Sequence, residues 1–355
     1  MPPQFEKVAS AHPSTCVHCV RVHRGLWLVS GRKRMSSNAA SDQPVLRYVQ
    51  CAGASKPGPN GPGDAHSHRM AYWDWPALPG ADATHVILAV HGLTRNGRDF
   101  DVLARRLQRR ARVICPDVAG RGRSDWLADP MAYQVPLYVA DMLTLVAQVS
   151  AEAALSGTPV RRLDWIGTSM GGLIGLGVAG MPQAMPPLPP ARLVLNDVGP
   201  EIAWEGLERI GSYIGQQTEF DNLAQGALYL REIAAGFGPH NDAQWLALSA
   251  PMFRPRTGAG VVLHYDPALT QGFQLMNRES MAQAQALLWA LYDGLTMPTL
   301  VLRGAQSDLL SAATAQAMRQ RGPRAQLVEF EGVGHAPTLV HADQIAVVEA
   351  FLFPS

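Results

Sequence analysis

The sequence predicts an α/β fold with a doubly wound, mainly parallel sheet and a helical cap inserted after its sixth strand. Two observations support this fold class. Short apolar runs alternate with longer segments of helical periodicity, and the alternation stops only at residues 201–295. Continuous apolar runs are typical of strands that are buried on both faces of a parallel sheet. A chain of 355 residues is long enough for one such domain with an insertion.

The N-terminal part, residues 1–65, is expected to be a poorly ordered leader and linker because proline, glycine, serine and histidine are frequent in it. Within it, the apolar run Val45–Cys51 is compatible with a first strand. Cys16, His18 and Cys19 carry thiol and imidazole groups of the kind that bind zinc. A second pair of ligands at zinc-finger spacing is missing, so we favour a disordered leader over a metal site.

The core of the fold is expected to comprise residues 66–200 and 296–355. Its predicted strands are the apolar runs Met70–Trp75, His85–Val90, Val113–Cys115, Leu163–Gly167, Leu193–Leu195, Thr299–Leu302 and Gln326–Phe330. Its predicted helices are Phe100–Arg112, Tyr138–Leu155, the small-residue run after Ser169, Ala312–Gln320 and Ala342–Leu352. Functional sites of such sheets lie at the carboxyl ends of the strands.

The cap prediction covers residues 201–295, which have the pattern of several helices joined by loops and no buried-strand signal. The segment is rich in large apolar side chains: Trp204, Tyr213, Tyr229, Phe237, Trp245, Met252 and Phe253. Two interpretations of these side chains stay open at this point. They either pack between helices or line a pocket over the sheet.

Composition excludes several classes of partner. The formal net charge of +1 provides no basis for binding nucleic acid or an anionic membrane surface. No run of eighteen apolar residues is present, so no membrane span is expected. Four cysteines in a chain of this length do not suggest a disulfide framework. We therefore expect a cytoplasmic protein, and composition does not determine its oligomeric state.

The stretch Gly167-Thr168-Ser169-Met170-Gly171 predicts a nucleophile elbow between a strand and a helix. A serine on such a turn has strained backbone angles, and the residues two positions away on each side come too close to tolerate a Cβ atom. The turn would expose the serine hydroxyl above the sheet. It would also leave the next amide at a helix N-terminus, where a developing negative charge can be stabilised.

Three other segments follow predicted strand ends in the same way. They are His91-Gly92-Leu93, the loop containing Asp308, and the loop containing His335. Because the carboxyl ends of parallel strands meet at one edge of the sheet, we expect these residues to converge on Ser169.

On these motifs the chain resembles the α/β-hydrolase superfamily, in particular its serine esterases and lipases, over about residues 70–353. The resemblance implies that Ser169 is the nucleophile, His335 the general base and Asp308 the acid that orients the imidazole. It also implies an oxyanion hole formed by the backbone N–H groups of Leu93 and Met170.

Asp197 stays open as an alternative acid because it also follows a predicted strand, and His91 is expected to brace the loop of the oxyanion hole.

Differences from the motifs of particular hydrolase families reduce the number of reactions that the chain is expected to catalyse. Ser169 differs from the aspartate of epoxide hydrolases and haloalkane dehalogenases, and Ala336 stands where carbon-carbon hydrolases have tryptophan. Thr94 completes a His-Gly-Leu-Thr segment that differs from the Gly-Gly-Pro-Gly of proline iminopeptidases. We expect a small-molecule carboxylic ester as substrate, with no cofactor and no metal. A thioesterase, a carbon-carbon bond hydrolase and a non-catalytic small-ligand receptor remain alternatives.

Overall fold

The computed structural model describes residues 42–180, 188–215, 219–275 and 277–354. In chain order its strands are β1 (Val45–Ala52), β2 (Ser55–Lys56), β3 (Ser67–Trp75), β4 (Asp82–Val90), β5 (Ala111–Pro116), β6 (Trp126–Leu127), β7 (Arg162–Thr168), β8 (Arg192–Asn196), β9 (Glu219–Phe220), β10 (Phe253–Pro255), β11 (Val261–Leu263), β12 (Thr299–Gly304) and β13 (Gln326–Phe330). Its helices are α1 (Asp101–Leu107), α2 (Val135–Leu155), α3 (Met170–Gly180), α4 (Trp204–Tyr213), α5 (Leu223–Ile233), α6 (Asp242–Ser249), α7 (Leu269–Gln274), α8 (Arg278–Asp293), α9 (Ala312–Gln320) and α10 (Ala342–Leu352).

Eight strands form the main sheet in the order β1-β3-β5-β4-β7-β8-β12-β13. The pairs β1/β3 and β3/β5 are antiparallel, and the remaining pairs are parallel. The predicted fold class is therefore confirmed. In register, Val90 of β4 lies opposite Gly167 of β7, and Gly167 lies opposite Leu195 of β8, so the carboxyl ends of these strands share one edge.

The core lies on both faces of this sheet because the strands alternate their side chains between them. In β7, Trp165 belongs to the apolar cluster that includes residues of α2, α3 and α9, whereas the next residue, Ile166, belongs to the cluster that includes residues of α1 and α10. Both side chains are fully buried. The helices thus cover both faces, as a doubly wound topology requires.

Helix α2 is long and apolar enough to cross a membrane by length and composition alone. Its side chains Tyr138, Met142 and Leu145 are buried in the core beside β1 and α3. This packing is that of a core helix.

The N-terminal boundary at residue 65 is wrong. β1 pairs with β3 along its whole length, from Val45 opposite Asp74 to Ala52 opposite Ser67. The turn-rich stretch after β1 is also held, because the Asn60 side chain donates to the carbonyl oxygens of two residues of the glycine-rich loop after β5. These long-range hydrogen bonds explain why this stretch is ordered although its composition is typical of a linker. The predicted leader up to residue 41, including Cys16, His18 and Cys19, lies outside the described residues.

The segment between β8 and β12 contains α4 to α8, as the helical prediction for residues 201–295 anticipated. We call residues 201–295 the insert. It also contains a small antiparallel sheet of the order β10-β11-β9, which the sequence did not indicate. These strands are only two or three residues long, too short to show a periodic pattern.

Candidate active site

Ser169 lies on the turn between β7 and α3 and has a φ of 52°. Its amide donates to the carbonyl oxygen of Asn196 at the end of β8, over 2.9 Å. A positive φ is costly for a residue with a Cβ atom, so the neighbouring structure must impose it. The turn that the sequence predicted is present, and it directs the serine to the carboxyl edge of the sheet.

The two flanking glycines are required by close backbone contacts. A Cβ atom on Gly167 would lie 2.3 Å from the carbonyl oxygen of Gly171, and one on Gly171 would lie 2.0 Å from that of Val90. Both distances are shorter than any non-bonded contact allows. The steric reason for the Gly-x-Ser-x-Gly spacing therefore applies here.

A continuous hydrogen-bonded path leads from Ser169 through His335 to Asp197. The hydroxyl oxygen of Ser169 lies 3.0 Å from Nε2 of His335, and Nδ1 of His335 lies 2.7 Å from Oδ2 of Asp197. A carboxylate accepts but does not donate, so Nδ1 carries the proton and Nε2 accepts from the serine. In this tautomer the imidazole can take a proton from Ser169.

Asp197 is fully buried and follows β8 directly, with a φ of 56°. Its Oδ1 atom accepts from the Gly304 amide over 2.9 Å, and its Oδ2 atom accepts from the Ser307 hydroxyl over 2.6 Å. Together with His335, three donors surround this carboxylate. These three donors fix the orientation of the carboxylate beside His335.

The structure does not support the expectation that Asp308 orients His335. The Asp308 carboxylate pairs with the guanidinium of Arg209 on α4, whose terminal nitrogen lies 2.9 Å from Oδ1. This hydrogen bond, opposed by partial burial, lowers the pKa of Asp308. The neighbouring residue explains the difference, because the loop after β12 directs Ser307, and not Asp308, toward Asp197 beside His335.

The backbone amides of Leu93 and Met170 lie on the two segments that approach Ser169. Met170 begins α3, and the first amide of a helix has no partner within the helix. Gly92 is close enough that a Cβ atom on it would lie 3.6 Å from that of Ser169. Both segments therefore lie next to Ser169.

His91 braces this loop as expected. It is completely buried, its Nδ1 atom donates to the Gly92 carbonyl over 2.7 Å, and its Nε2 atom accepts from the Val118 amide over 2.9 Å. Burial, assisted by the nearby charges of Arg121 and Arg95, lowers the pKa of His91 to about 3. The His91 imidazole is therefore neutral near pH 7.

Sequence reasoning missed Asn196. Its side-chain amide donates to the Thr168 hydroxyl over 2.9 Å and to the Pro337 carbonyl over 2.8 Å. It thereby joins the turn that carries Ser169 to the loop that carries His335. The available signal was a polar residue at the end of an otherwise apolar buried run.

A pocket opens over Ser169 between the sheet edge and the insert. Its lining from the insert is mostly apolar: Ile210, Tyr213, Leu230, Ile233, Ala234, Phe237 and Leu248. The sequence did not decide whether the aromatic residues of the insert pack between helices or line a pocket. Of these residues, Tyr213 and Phe237 line the pocket. Trp245 and Phe253 are buried elsewhere in the insert, so both interpretations hold for different residues.

Potential metal ligands come together at another place among the described residues. Cys51, His68 and Asp141 are buried between β1, β3 and α2. Nε2 of His68 lies 3.0 Å from the Asp141 carboxylate, and Nδ1 lies 3.1 Å from the Gly53 carbonyl. Both ring nitrogens therefore face oxygen acceptors, an arrangement that suits a protonated imidazole and not a metal ligand.

Comparison with known proteins identifies the family of this chain. The model of the alpha/beta hydrolase family matches residues 87–349. A 3-hydroxybutyrate-oligomer hydrolase of Cupriavidus necator is 45% identical over 316 residues, which are 88% of this chain and 98% of that protein. A pimeloyl-[acyl-carrier protein] methyl ester esterase of Xanthomonas campestris is 26% identical over 265 residues, 73% of this chain and 91% of that protein.

Among solved structures, an alpha/beta hydrolase from Novosphingobium aromaticivorans is similar with a TM-score of 0.69 and 35% identity, covering 87% of this chain and 98% of that one. The chain belongs to the alpha/beta hydrolase family, and it is a hydrolase.

Proposed function

We propose that the protein hydrolyses carboxylic esters through an acyl-serine intermediate. In this proposal Ser169 is the nucleophile, His335 the general base and Asp197 the acid that orients it. The observation that carries the proposal is the path from the Ser169 hydroxyl to His335 Nε2 over 3.0 Å and from Nδ1 to Asp197 over 2.7 Å. Nucleophile, base and orienting group within hydrogen-bond reach of one another are the signature of nucleophilic catalysis.

The reaction follows from the protonation states. Ser169 Oγ attacks the ester carbonyl carbon while its proton moves to Nε2 of His335, and Asp197 stabilises the imidazolium that forms. The tetrahedral intermediate collapses when the carbon–oxygen bond to the leaving alcohol breaks and His335 returns the proton to that oxygen. A water molecule then repeats the sequence on the acyl-serine and releases the carboxylic acid.

The amides of Leu93 and Met170 are proposed to bind the negative oxygen of both tetrahedral intermediates. Pre-oriented backbone donors are effective because they need no reorganisation as the charge develops. Support comes from the start of α3 at Met170 and from the approach of Gly92 to Ser169.

Oligomers of 3-hydroxybutyrate are the proposed substrate class, on the basis of the activity named for the Cupriavidus necator relative. Such oligomers are joined by ester bonds whose leaving group is an alkyl alcohol. The pocket suits an uncharged ester chain, because the cations that line it are neutralised. Arg95 pairs with Asp99 over 2.6 Å, and Arg209 pairs with Asp308.

A hydrolysis assay of the full chain tests the proposal. Trimeric 3-hydroxybutyrate and p-nitrophenyl butyrate are the substrates, an acyl-CoA is the thioester arm, and Ser169→Ala is the control. We expect ester turnover that Ser169→Ala lowers by about 10⁴ to 10⁶ in kcat. A Ser169→Ala protein that keeps more than about a tenth of the activity would contradict the assignment, since removal of a nucleophile costs far more.

The same assay separates two alternatives. A non-catalytic receptor would bind the ester without any release of p-nitrophenol, and a thioesterase would prefer the acyl-CoA. We also propose a cytoplasmic location, which is supported by the free thiols of Cys51 and Cys115 and is tested by cell fractionation.

A further inference from the structure

Arg121 lies in the glycine-rich loop after β5, and its side chain is completely buried. Its guanidinium donates to the Leu93 carbonyl over 2.8 Å, to the Ala119 carbonyl over 2.7 Å and to the Tyr138 hydroxyl over 2.8 Å. A terminal nitrogen also lies 3.5 Å from the sulfur of Met170. Within the described part of the chain, all of these acceptors are neutral and no carboxylate forms an ion pair with Arg121.

Such a charge is unusual. A buried cation ordinarily has an anionic partner, because removal from water costs several kcal/mol that hydrogen bonds to neutral groups only partly offset. Here the face of the Tyr138 ring, 5.0 Å from the guanidinium carbon, supplies a further weak attraction. Among the described residues, Arg121 therefore carries a buried positive charge with no carboxylate paired to it.

The position of this charge is informative. Leu93 and Met170, which Arg121 contacts, are the two residues whose amides we assign to the oxyanion hole. The hydrogen bond to the Leu93 carbonyl fixes one side of that residue, and the bond from His91 to the Gly92 carbonyl fixes the peptide group on the other side. Arg121 thus lies behind the hole, where it does not touch a substrate.

We propose that Arg121 is a positioning residue of the oxyanion hole. It holds Leu93 and Met170 in place through its hydrogen bonds, and its charge stabilises the negative oxygen that appears only when Ser169 has attacked the ester. In a water-excluded site a charge acts over longer distances than in solvent. This inference rests on the proposed ester hydrolysis.

Substitution of Arg121 tests the role. We expect Arg121→Met to lower kcat for a small ester by about 10- to 100-fold, somewhat less than loss of a direct oxyanion donor, with KM changed less than about threefold. Arg121→Lys keeps the charge but cannot make all of the contacts, so its kcat should be intermediate. Reactive sites are counted by complete labelling of Ser169 with a fluorophosphonate, which corrects for misfolded protein.

The inhibition constant of a trifluoromethyl ketone separates the proposed role from a purely structural one, which would leave that constant unchanged. The ketone adds to Ser169 and forms a hemiketal oxyanion in the hole, so its inhibition constant should rise in proportion to the fall in kcat. Arg162→Met is the matched control. Unlike Arg121, Arg162 is only partly buried and is bonded to a carboxylate as well as to a carbonyl, and it lies at the amino end of β7, away from Ser169. The Arg162→Met protein should be less stable than the parent, while its kcat and the inhibition constant of the ketone stay unchanged.

The experiments distinguish failure of the proposed ester hydrolysis from failure of the role proposed for Arg121. If Ser169→Ala retains activity, the ester mechanism itself fails. If Ser169→Ala is inactive but Arg121→Met keeps its kcat, or loses kcat without weaker binding of the ketone, only the role of Arg121 is wrong. If Arg121→Met does not fold, Arg121→Lys decides the question, because a Lys variant with the parental kcat and inhibition constant would overturn the positioning role.

Discussion

The Nδ1–H group of His335 donates to Oδ2 of Asp197 over 2.7 Å, across 138 positions of the chain. The two residues follow β13 and β8, and β12 lies between these strands in the sheet. Ser307, from the loop after β12, donates to the same carboxylate. Asp197 is therefore held by the loops of the core, whereas Asp308 is bonded to the insert.

Asp197→Asn should be strongly impaired. The amide keeps the shape of the side chain but favours the wrong imidazole tautomer, and the corresponding change in a serine protease lowers kcat by about 10⁴. The measurement is kcat on one small ester near neutral pH.

Asp308→Asn is the matched control for Asp197→Asn. It removes the ion pair with Arg209, so we expect a change of less than about tenfold in kcat, because an ion pair with this exposure contributes on the order of 1 kcal/mol at most. Near-normal activity of Asp197→Asn together with a crippled Asp308→Asn would show that the assignment from geometry is wrong.

Tyr213→Ala should change the preference for acyl chain length. Tyr213 lines the pocket from α4, so its removal enlarges the space for the acyl group. Activity on long p-nitrophenyl esters should rise relative to the acetate. Tyr229→Ala is the control, since Tyr229 packs against Phe220 and does not line this pocket. Identical chain-length profiles for Tyr213→Ala and the parent would exclude the insert wall as a selectivity element.

His91 makes the stability of the fold depend on pH. Its pKa is about 3 in the fold and about 6.5 in an unfolded chain, so the unfolded state binds more protons between these values. The free energy of unfolding therefore falls as the pH drops below about 6.5, and by pH 5 His91 alone accounts for a loss of about 2 kcal/mol.

Urea unfolding of the parent and His91→Gln from pH 4 to 7 measures this effect. The variant should be less stable than the parent at pH 7. Its free energy of unfolding should fall less steeply as the pH drops, because unfolding takes up about one proton fewer. The pKa of His264 is also lowered by burial, to about 4, and this residue contributes equally to both proteins. Parallel slopes would mean that His91 is not the titrating group.

A chain that begins at Met35 should fold and hydrolyse esters like the full chain, because β1 is retained. A chain that begins at Ser67 lacks β1, with the buried Val49 and Cys51, and we expect it to be destabilised by about 2 kcal/mol or more. Denaturant midpoints of the three proteins provide the comparison. Stoichiometric zinc in the full chain, absent when the chain begins at Met35, would instead assign a role to Cys16, His18 and Cys19.

Sequence reasoning worked where local sterics decide the structure. Gly167 and Gly171 admit no side chain, so the turn at Ser169 could be recognised from its spacing. The continuous apolar runs also identified the buried strands, because burial on both faces removes polar residues. Ser169 and His335 were thus placed correctly at one edge.

The choice between Asp197 and Asp308 could not be made in this way. Both follow a predicted strand, and only the direction of each side chain separates them. That direction depends on Ser307 and Arg209, which lie in loops and in a helix whose packing has no signature in the local sequence. The ordered stretch around Asn60 was missed for the same reason, since its bonds reach more than sixty positions along the chain.

The insert is bonded directly to the loop that carries His335. The amide of Gly334 donates to the carbonyl of Gly236 over 2.6 Å, and a Cβ atom on Gly236 would lie 3.2 Å from the backbone of His335. Any movement that lifts this part of the insert to admit a substrate breaks a bond one residue away from the imidazole. If this part of the insert lifts to admit a substrate, we therefore expect His335 to shift with it and to regain its place only when the insert closes over the bound ester.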